Sequence, residues 1–268
     1  MLDNETLTNL FGSRNFKNFG KIGDGLRVVY PITTDKFPTG YVNDPNGKAA
    51  NDCRKVVDDK LGNTYGPALH LALAPHKEHN LVGVYKDGLQ ETTAFVGDGI
   101  IIKRTGTRLV VDTFLADCSW IVVWTDEWVG CMHCGWPELV QMPEGVIDKF
   151  FSLWPGTREE TSIWMGPCIT QAHFERKEIP AEPDFLQPYV GQTNWGTQGF
   201  ALDLCIKSRL RHYLDVTQFT CVGVDPYSIR ESGDYSWAAS DQWAKRKSNE
   251  LGFPVCNLRN TAMLFIEG

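Results

Sequence analysis

The densest concentration of side chains able to do chemistry lies between Leu115 and Val140 of this 268-residue chain. It runs Ala116-Asp117-Cys118, an apolar stretch from Ser119 to Trp124, an acidic turn at Thr125-Asp126-Glu127, and a second apolar stretch that ends in Cys131-Met132-His133-Cys134-Gly135-Trp136. Two strands joined by a short turn make a hairpin, so Cys118 near the start of the first and His133 near the end of the second lie side by side. A cysteine and a histidine so placed can share a metal ion or a proton. Period-two alternation puts Cys131 and His133 on one face and Met132 and Cys134 on the other, so the C-x-x-C spacing does not form a single clamp. The plainer reading is an inert strand cysteine beside a hydrogen-bonded core histidine. The hairpin pairing raises the chemical reading to a match for it.

The elements that must hold these residues are visible as patterns. Strand-like segments run over 26–32, 69–74, 81–85, 99–103, 109–113, 119–124 and 128–133, rich in β-branched and aromatic residues. Trp120-Ile121-Val122-Val123-Trp124 is apolar without alternation, which predicts a strand covered on both faces. Helical spacing follows Asp44-Pro45 through Cys53, Val56, Val57 and Leu61 to a stop at Gly62, and recurs over 143–154, 200–214 and 238–251. Nothing repeats at a fixed period and no stretch reads as a flexible linker, which favours one mixed α+β domain.

Composition narrows the function classes. Lys and Arg number 26 against 33 Asp and Glu, a net charge of −7, which removes the electrostatic footprint of a general nucleic-acid binder. No apolar run approaches the roughly 18 residues of a membrane span, and Met1-Leu2-Asp3-Asn4-Glu5 lacks the basic and apolar regions of a secretion signal. The eight cysteines are too dilute for a disulfide scaffold and sit mostly in apolar runs, so they read as reduced thiols of a soluble, cytoplasmic protein.

A longer set of motifs resembles a known family. Asn43-Asp44-Pro45 with Asn51 and Arg54, then Ala116-Asp117-Cys118, His133-Cys134-Gly135-Trp136, Gly166-Pro167-Cys168-Ile169, Leu202-Asp203-Leu204, Cys221 and Asp225-Pro226 are similar, in order and separation, to the laccase-domain or YfiH-like family. That family was first described as multicopper polyphenol oxidases and is now regarded as purine nucleoside phosphorylases with adenosine deaminase activity. The resemblance covers about residues 26–268, leaving 1–25 as an N-terminal extension to a single domain. It implies a four-layer αββα fold with two mixed sheets face to face, as in YfiH and the cytotoxic necrotising factors, and hence burial of both Ile121 and Val122.

The resemblance also implies a zinc site. Its ligands carry over to Cys118 and His133, with His76 as the third and His79 as the alternative in Ala74-Pro75-His76-Lys77-Glu78-His79. Two imidazoles and a thiolate leave a fourth zinc position open, the pattern of a catalytic site, and such a zinc acidifies water for attack on C6 of adenine. Asp117 is a candidate to orient the adjacent ligand. His70, His173 and His212 read as structural. The family's arginines are missing: Pro137 follows Gly-Trp, Thr34-Asp35-Lys36-Phe37-Pro38 replaces a Thr-Arg-x-Gly-Gly pattern, and Tyr235-Ser236-Trp237-Ala238-Ala239 replaces Phe-Ser-x-Arg-Arg. Arginines grip phosphate bidentately, so phosphorolysis is undermined more than deamination, with Arg259 the surviving anion contact.

Three functions follow: a zinc-dependent enzyme acting on a small purine nucleoside, a metal-free deamidase with Cys118 as nucleophile and His133 as base, or a non-catalytic purine- or partner-binding homologue. Only six histidines are present, without the clusters that several coppers require.

Overall fold

A computed structural model describes residues 3–12, 16–31, 52, 54, 55, 58, 59, 61, 65–72, 81–140, 144–181, 183–214, 218–233, 239–255 and 260–267. Its strands are β1 (Phe16–Gly23), β2 (Leu26–Pro31), β3 (Ala68–Ala72), β4 (Val82–Tyr85), β5 (Thr93–Val96), β6 (Gly99–Lys103), β7 (Leu109–Leu115), β8 (Ser119–Trp124), β9 (Trp128–Cys134), β10 (Ser162–Met165), β11 (Val190–Gln192), β12 (Gln198–Phe200), β13 (Phe219–Cys221) and β14 (Asn260–Ile266). Its helices are α1 (Asn4–Phe11), α2 (Trp136–Val140), α3 (Val146–Leu153), α4 (Leu202–Tyr213), α5 (Pro226–Glu231) and α6 (Asp241–Leu251), with a 3-10 turn at Asp184–Tyr189.

Two six-stranded sheets result, ordered β1-β2-β14-β7-β3-β5 and β13-β10-β8-β9-β6-β4, beside a small β11-β12 hairpin. Both large sheets are mixed, with β7, β3 and β5 parallel in the first and β4 parallel to β6 in the second. Alternation along the strands explains the layering. Val28, Val111, Leu264, Ile100, Trp120, Val122 and Cys131 point into one apolar cluster between the sheets. Their neighbours Val29, Val110, Met263 and Phe265 point the other way, against Leu7, Leu10, Phe11 and Leu61. On the second sheet, Ile121, Val123, Met132 and Cys134 face the helical layer of Leu139, Ile147, Phe150, Ile206 and Trp243. The order is helix, sheet, sheet, helix, and Ile121 and Val122 are both fully buried.

The segment read as an N-terminal extension belongs to these layers. β1 pairs antiparallel with β2 through a turn at Asp24-Gly25, where Gly25 takes φ 63°, a left-handed conformation suited to glycine. Polar β1 has no apolar alternation to mark it as an edge strand. Residues 52, 54, 55, 58, 59 and 61 are helical; of the residues whose spacing predicts this helix Leu61 is described, whereas Asp44-Pro45, Cys53, Val56, Val57 and Gly62 lie outside the described residues. Helix α6 begins behind an N-cap at Ser240, whose side chain accepts the Trp243 N–H, and ends at Gly252 in the left-handed conformation.

His70 ties the outer helical residues to the first sheet. On β3 its ring nitrogens contact Asp112 Oδ2 on β7 at 2.8 Å and Asp58 Oδ1 at 2.9 Å. Burial opposes charging the ring, but Asp112 and then Asp58 outweigh it and lift the pKa from 6.5 to about 9. A histidine with a raised folded pKa stabilises fully below its unfolded value and loses that contribution as pH rises through the folded one. His70→Gln should therefore lower unfolding free energy by about 2 to 3 kcal/mol at pH 6. Urea melts of wild type and variant should show that gap closing between pH 6.5 and 10; a constant gap would mean that His70 is not held as a cation.

Candidate active site

Two short crossings among the described residues carry the chain from the first sheet to the second, and residues 73–80, between β3 and β4, lie outside them. β3 ends in the first sheet and β4 begins in the second, β5 is followed by β6 through Gly97-Asp98, and β7 by β8 through Ala116-Asp117-Cys118. Because β3, β5 and β7 run parallel, these crossings share one end of the sandwich. β9 is antiparallel to both β8 and β6, so its last residues reach that same end. His133 lies there opposite Trp120, whose side chain is in the cluster between the sheets.

Asp98 enters from the β5–β6 crossing. Its backbone carbonyl accepts the His133 N–H at 2.8 Å, its side chain is fully buried, and one carboxylate oxygen stands 3.9 Å from His133 Nδ1. Glu138 enters from α2, where the local sequence explains its position. Pro137 suits the first turn of a helix, and an acid at the third helical position can reach back to the residue before the helix. Glu138 Oε2 accordingly accepts the Gly135 N–H at 2.9 Å, while Oε1 stands 3.7 Å from His133 Nδ1. A methyl group on Gly135 would strike Cys118 Sγ and come within 2.9 Å of Glu138 Oε2, so thiol and carboxylate converge on that glycine.

Asp98, His133 and Glu138 thus present ligand atoms all within 4.8 Å of one another, and all three residues are buried. The spacing distinguishes this cluster from the His70 clamp, which has the same residue types. At 3.7 and 3.9 Å the carboxylates are too far from His133 Nδ1 for hydrogen bonds. Donors around a tetrahedral ion with bonds of about 2.1 Å stand roughly 3.4 Å apart, close to the separation seen. The Asp98 carboxylate, the imidazole and a neighbouring thiol fit a divalent cation, with the Glu138 carboxylate beside them.

Cys118 Sγ and Glu138 Oε2 therefore meet at Gly135, with Glu138 Oε1 3.7 Å from His133 Nδ1, while Asp117 turns elsewhere. Asp117 Oδ2 accepts the Gln242 N–H at 3.0 Å at the start of α6, so its carboxylate anchors that helix to the crossing. Burial, then the charges of Asp241 and Asp225, push its pKa up to about 7 against the lowering effect of the Ser240 and Gln242 hydrogen bonds. His76, His79 and Arg259 lie outside the described residues. Burial raises the Cys131 thiol to about 12 and lifts Cys134 as well, and the two belong to opposite faces of the second sheet. His173 is held by Asp225 at 2.8 Å and Asn194 at 3.3 Å, stacked on Tyr227. The sequence reading missed Asp98 and Glu138. The Gly-Trp-Pro-Glu order carried the signal for Glu138, a first-turn proline followed by an acid.

The two facing mixed sheets, outer helices and buried imidazole–carboxylate cluster define an α+β protein with a metal-type site between crossing loops. Residues 39–232 match the family model described as multi-copper polyphenol oxidoreductase laccase, and the chain belongs to that family. Solved structures share the fold. A Neisseria meningitidis protein of the DUF152 family is 15% identical, with TM-score 0.62 over 95% of this chain and all of that one. The Bacillus licheniformis hypothetical protein YfiH is 13% identical, with TM-score 0.59 over 91% and 94%, and YlmD from Geobacillus stearothermophilus is 12% identical, with TM-score 0.61 over 96% and 97%. No curated protein sequence matches the chain.

Gly135→Ala tests the convergence. The added methyl should displace Glu138 or Cys118 and weaken binding of Co2+, used as a spectroscopic probe, by about tenfold or more. A folded variant with wild-type Co2+ affinity and absorption spectrum would show that these groups do not meet at Gly135.

Proposed function

We propose that this chain is a zinc-dependent purine nucleoside enzyme and that hydrolytic deamination of adenosine is its favoured reaction. The observation that carries the reading is the buried convergence of Asp98, His133 and Glu138 beside Cys118, in a chain of this family. His133 and Cys118, with His76 as the third donor, would hold the ion. Asp98 adds an oxygen donor next to them. A zinc ion in such a site supplies Lewis acidity that brings the pKa of water toward about 7.

The chain's own groups supply the rest. The Gly135 N–H fixes Glu138 Oε2 and leaves Oε1 turned toward His133. Oε1 is the atom proposed to take the proton of the attacking water and return it to the departing amine, the part a glutamate plays in zinc deaminases generally. Trp136, buried against Phe174 and Phe200, closes the helical side of the site. The metal-free deamidase reading has less support, because an activated cysteine needs electropositive surroundings and the groups that gather here are carboxylates.

Two measurements test the reading. Glu138→Gln should lower kcat for adenosine deamination by about a hundredfold or more while zinc content stays near one equivalent, whereas Cys118→Ser should lose zinc and activity together. A metal-free preparation that releases ammonia from a glutamine side chain, but not from adenosine, would replace this reading with the deamidase one. Binding of purine with no turnover by any loaded preparation would point to a binding protein.

On one zinc-loaded preparation, inosine release from adenosine should exceed phosphate-dependent adenine release. Holding a phosphate dianion beside the ribose commonly takes two or more cationic groups, and each charged hydrogen bond lost costs about 1.5 to 3 kcal/mol. Pro137 and Asp35 stand where the family has arginine. Phosphorolysis as fast as deamination would overturn the order.

A further inference from the structure

Pro137 removes a guanidinium from the site, yet another one lies over the adjacent residue. Arg176 is half-buried, with its guanidinium carbon 4.5 Å from the centre of the Trp136 ring and 5.7 Å from that of Phe174. Its backbone is fixed: the Arg176 N–H donates to Gln198 O at 3.0 Å, the Phe200 N–H donates to Phe174 O at 3.1 Å, and Glu175 bridges to Gly199. Residues 174–176 thus run alongside β12. The Trp136 ring packs edge-on against Phe200 at 4.8 Å and Phe174 at 6.2 Å, which makes an aromatic platform under the guanidinium.

What sets Arg176 apart, from the exposed Arg108 over Tyr65 as well as from the paired arginines, is partial burial without an anion. Arg209 and Arg246 also lie over aromatic rings, and each has a carboxylate partner, Asp148 and Glu250. Among the described residues no carboxylate pairs with Arg176, and its buried Nε has no hydrogen-bond partner. Burial pulls its pKa below the ordinary arginine value, the electrostatic sign of a cation short of a counter-charge. A guanidinium stacked through its face keeps its N–H edge for in-plane, bidentate contact with an oxoanion.

We propose that Arg176, held on Trp136, is this chain's own phosphate-binding group, taking a tetrahedral phosphoryl oxoanion beside the site that α2 builds. Its meaning for catalysis rests on the purine nucleoside reading, since the same chemistry serves inorganic phosphate or the phosphate ester of a nucleotide. A single guanidinium holds phosphate weakly, which agrees with phosphorolysis slower than deamination.

The test is calorimetric titration of the full-length, zinc-loaded protein with inorganic phosphate, adenosine 5′-monophosphate and adenosine in turn. Arg176→Met should weaken the phosphate-bearing ligand by about tenfold or more and leave adenosine unchanged, with Arg176→Lys between the two. A preference for inorganic phosphate assigns the contact to a co-substrate, and a preference for the monophosphate assigns it to the substrate. Saturable phosphate binding that is the same in wild type and Arg176→Met, or absent from wild type, would overturn the proposal. So would equal loss of adenosine binding in Arg176→Met, because that marks damage to the Trp136 platform. Phosphate bound through Arg176 without any nucleoside turnover would instead refute the enzymatic reading and leave the anion contact standing.

Discussion

The structure depends on burying the inner faces of two sheets against each other, with short crossings between them, at β5–β6 and β7–β8, at one end. Strands β3, β5 and β7 point the same way because each is followed by a strand of the other sheet rather than by a hairpin partner. Their ends consequently gather in one place, and so do Asp98 and residues 116–118, which follow β5 and β7. Polar side chains at the edge of an apolar cluster need partners, because a buried unpaired carboxylate is strongly disfavoured. The crossings supply those partners from different parts of the sequence.

Two clusters show how spacing separates structure from chemistry. His70 touches both of its carboxylates at hydrogen-bond distance, and the resulting cation neutralises part of their charge. His133 has two carboxylates as well, but neither reaches its Nδ1 directly. A closed clamp locks helix to sheet and offers nothing to a ligand. At His133 the carboxylates stand instead at the separation of donors around a cation, held there by backbone hydrogen bonds from Gly135 and His133.

Much of this was legible in the sequence because the β8–β9 hairpin is local. Its short turn fixes Trp120 opposite His133, and the alternation that separates Cys131 from Cys134 follows from pairing alone. The doubly covered β8 showed as an unbroken apolar run, and the layered fold was what the family resemblance implied. Asp98 was hidden because an acid between two glycines reads as a turn, and its meaning depends on a crossing distant in sequence. Asp117 next to Cys118 suggested a shared site, whereas its carboxylate turns to the start of α6, a helix more than a hundred residues later in the chain. β1 was hidden for a different reason: a half-exposed edge strand needs little apolar alternation.

Pro137 joins these lines of argument. As a lost arginine it reads only as a defect in anion binding. In the structure it opens the turn that brings Glu138 to His133 and sets Trp136 on its aromatic neighbours. The buried carboxylate of the next residue, Glu138, thus stands beside His133. Arg176 reaches the Trp136 ring from a separate segment, so positive charge lies against the residue before Pro137. The proposed donors therefore lie at the sheet ends, whereas the guanidinium on Trp136 belongs to the separate segment that runs alongside β12.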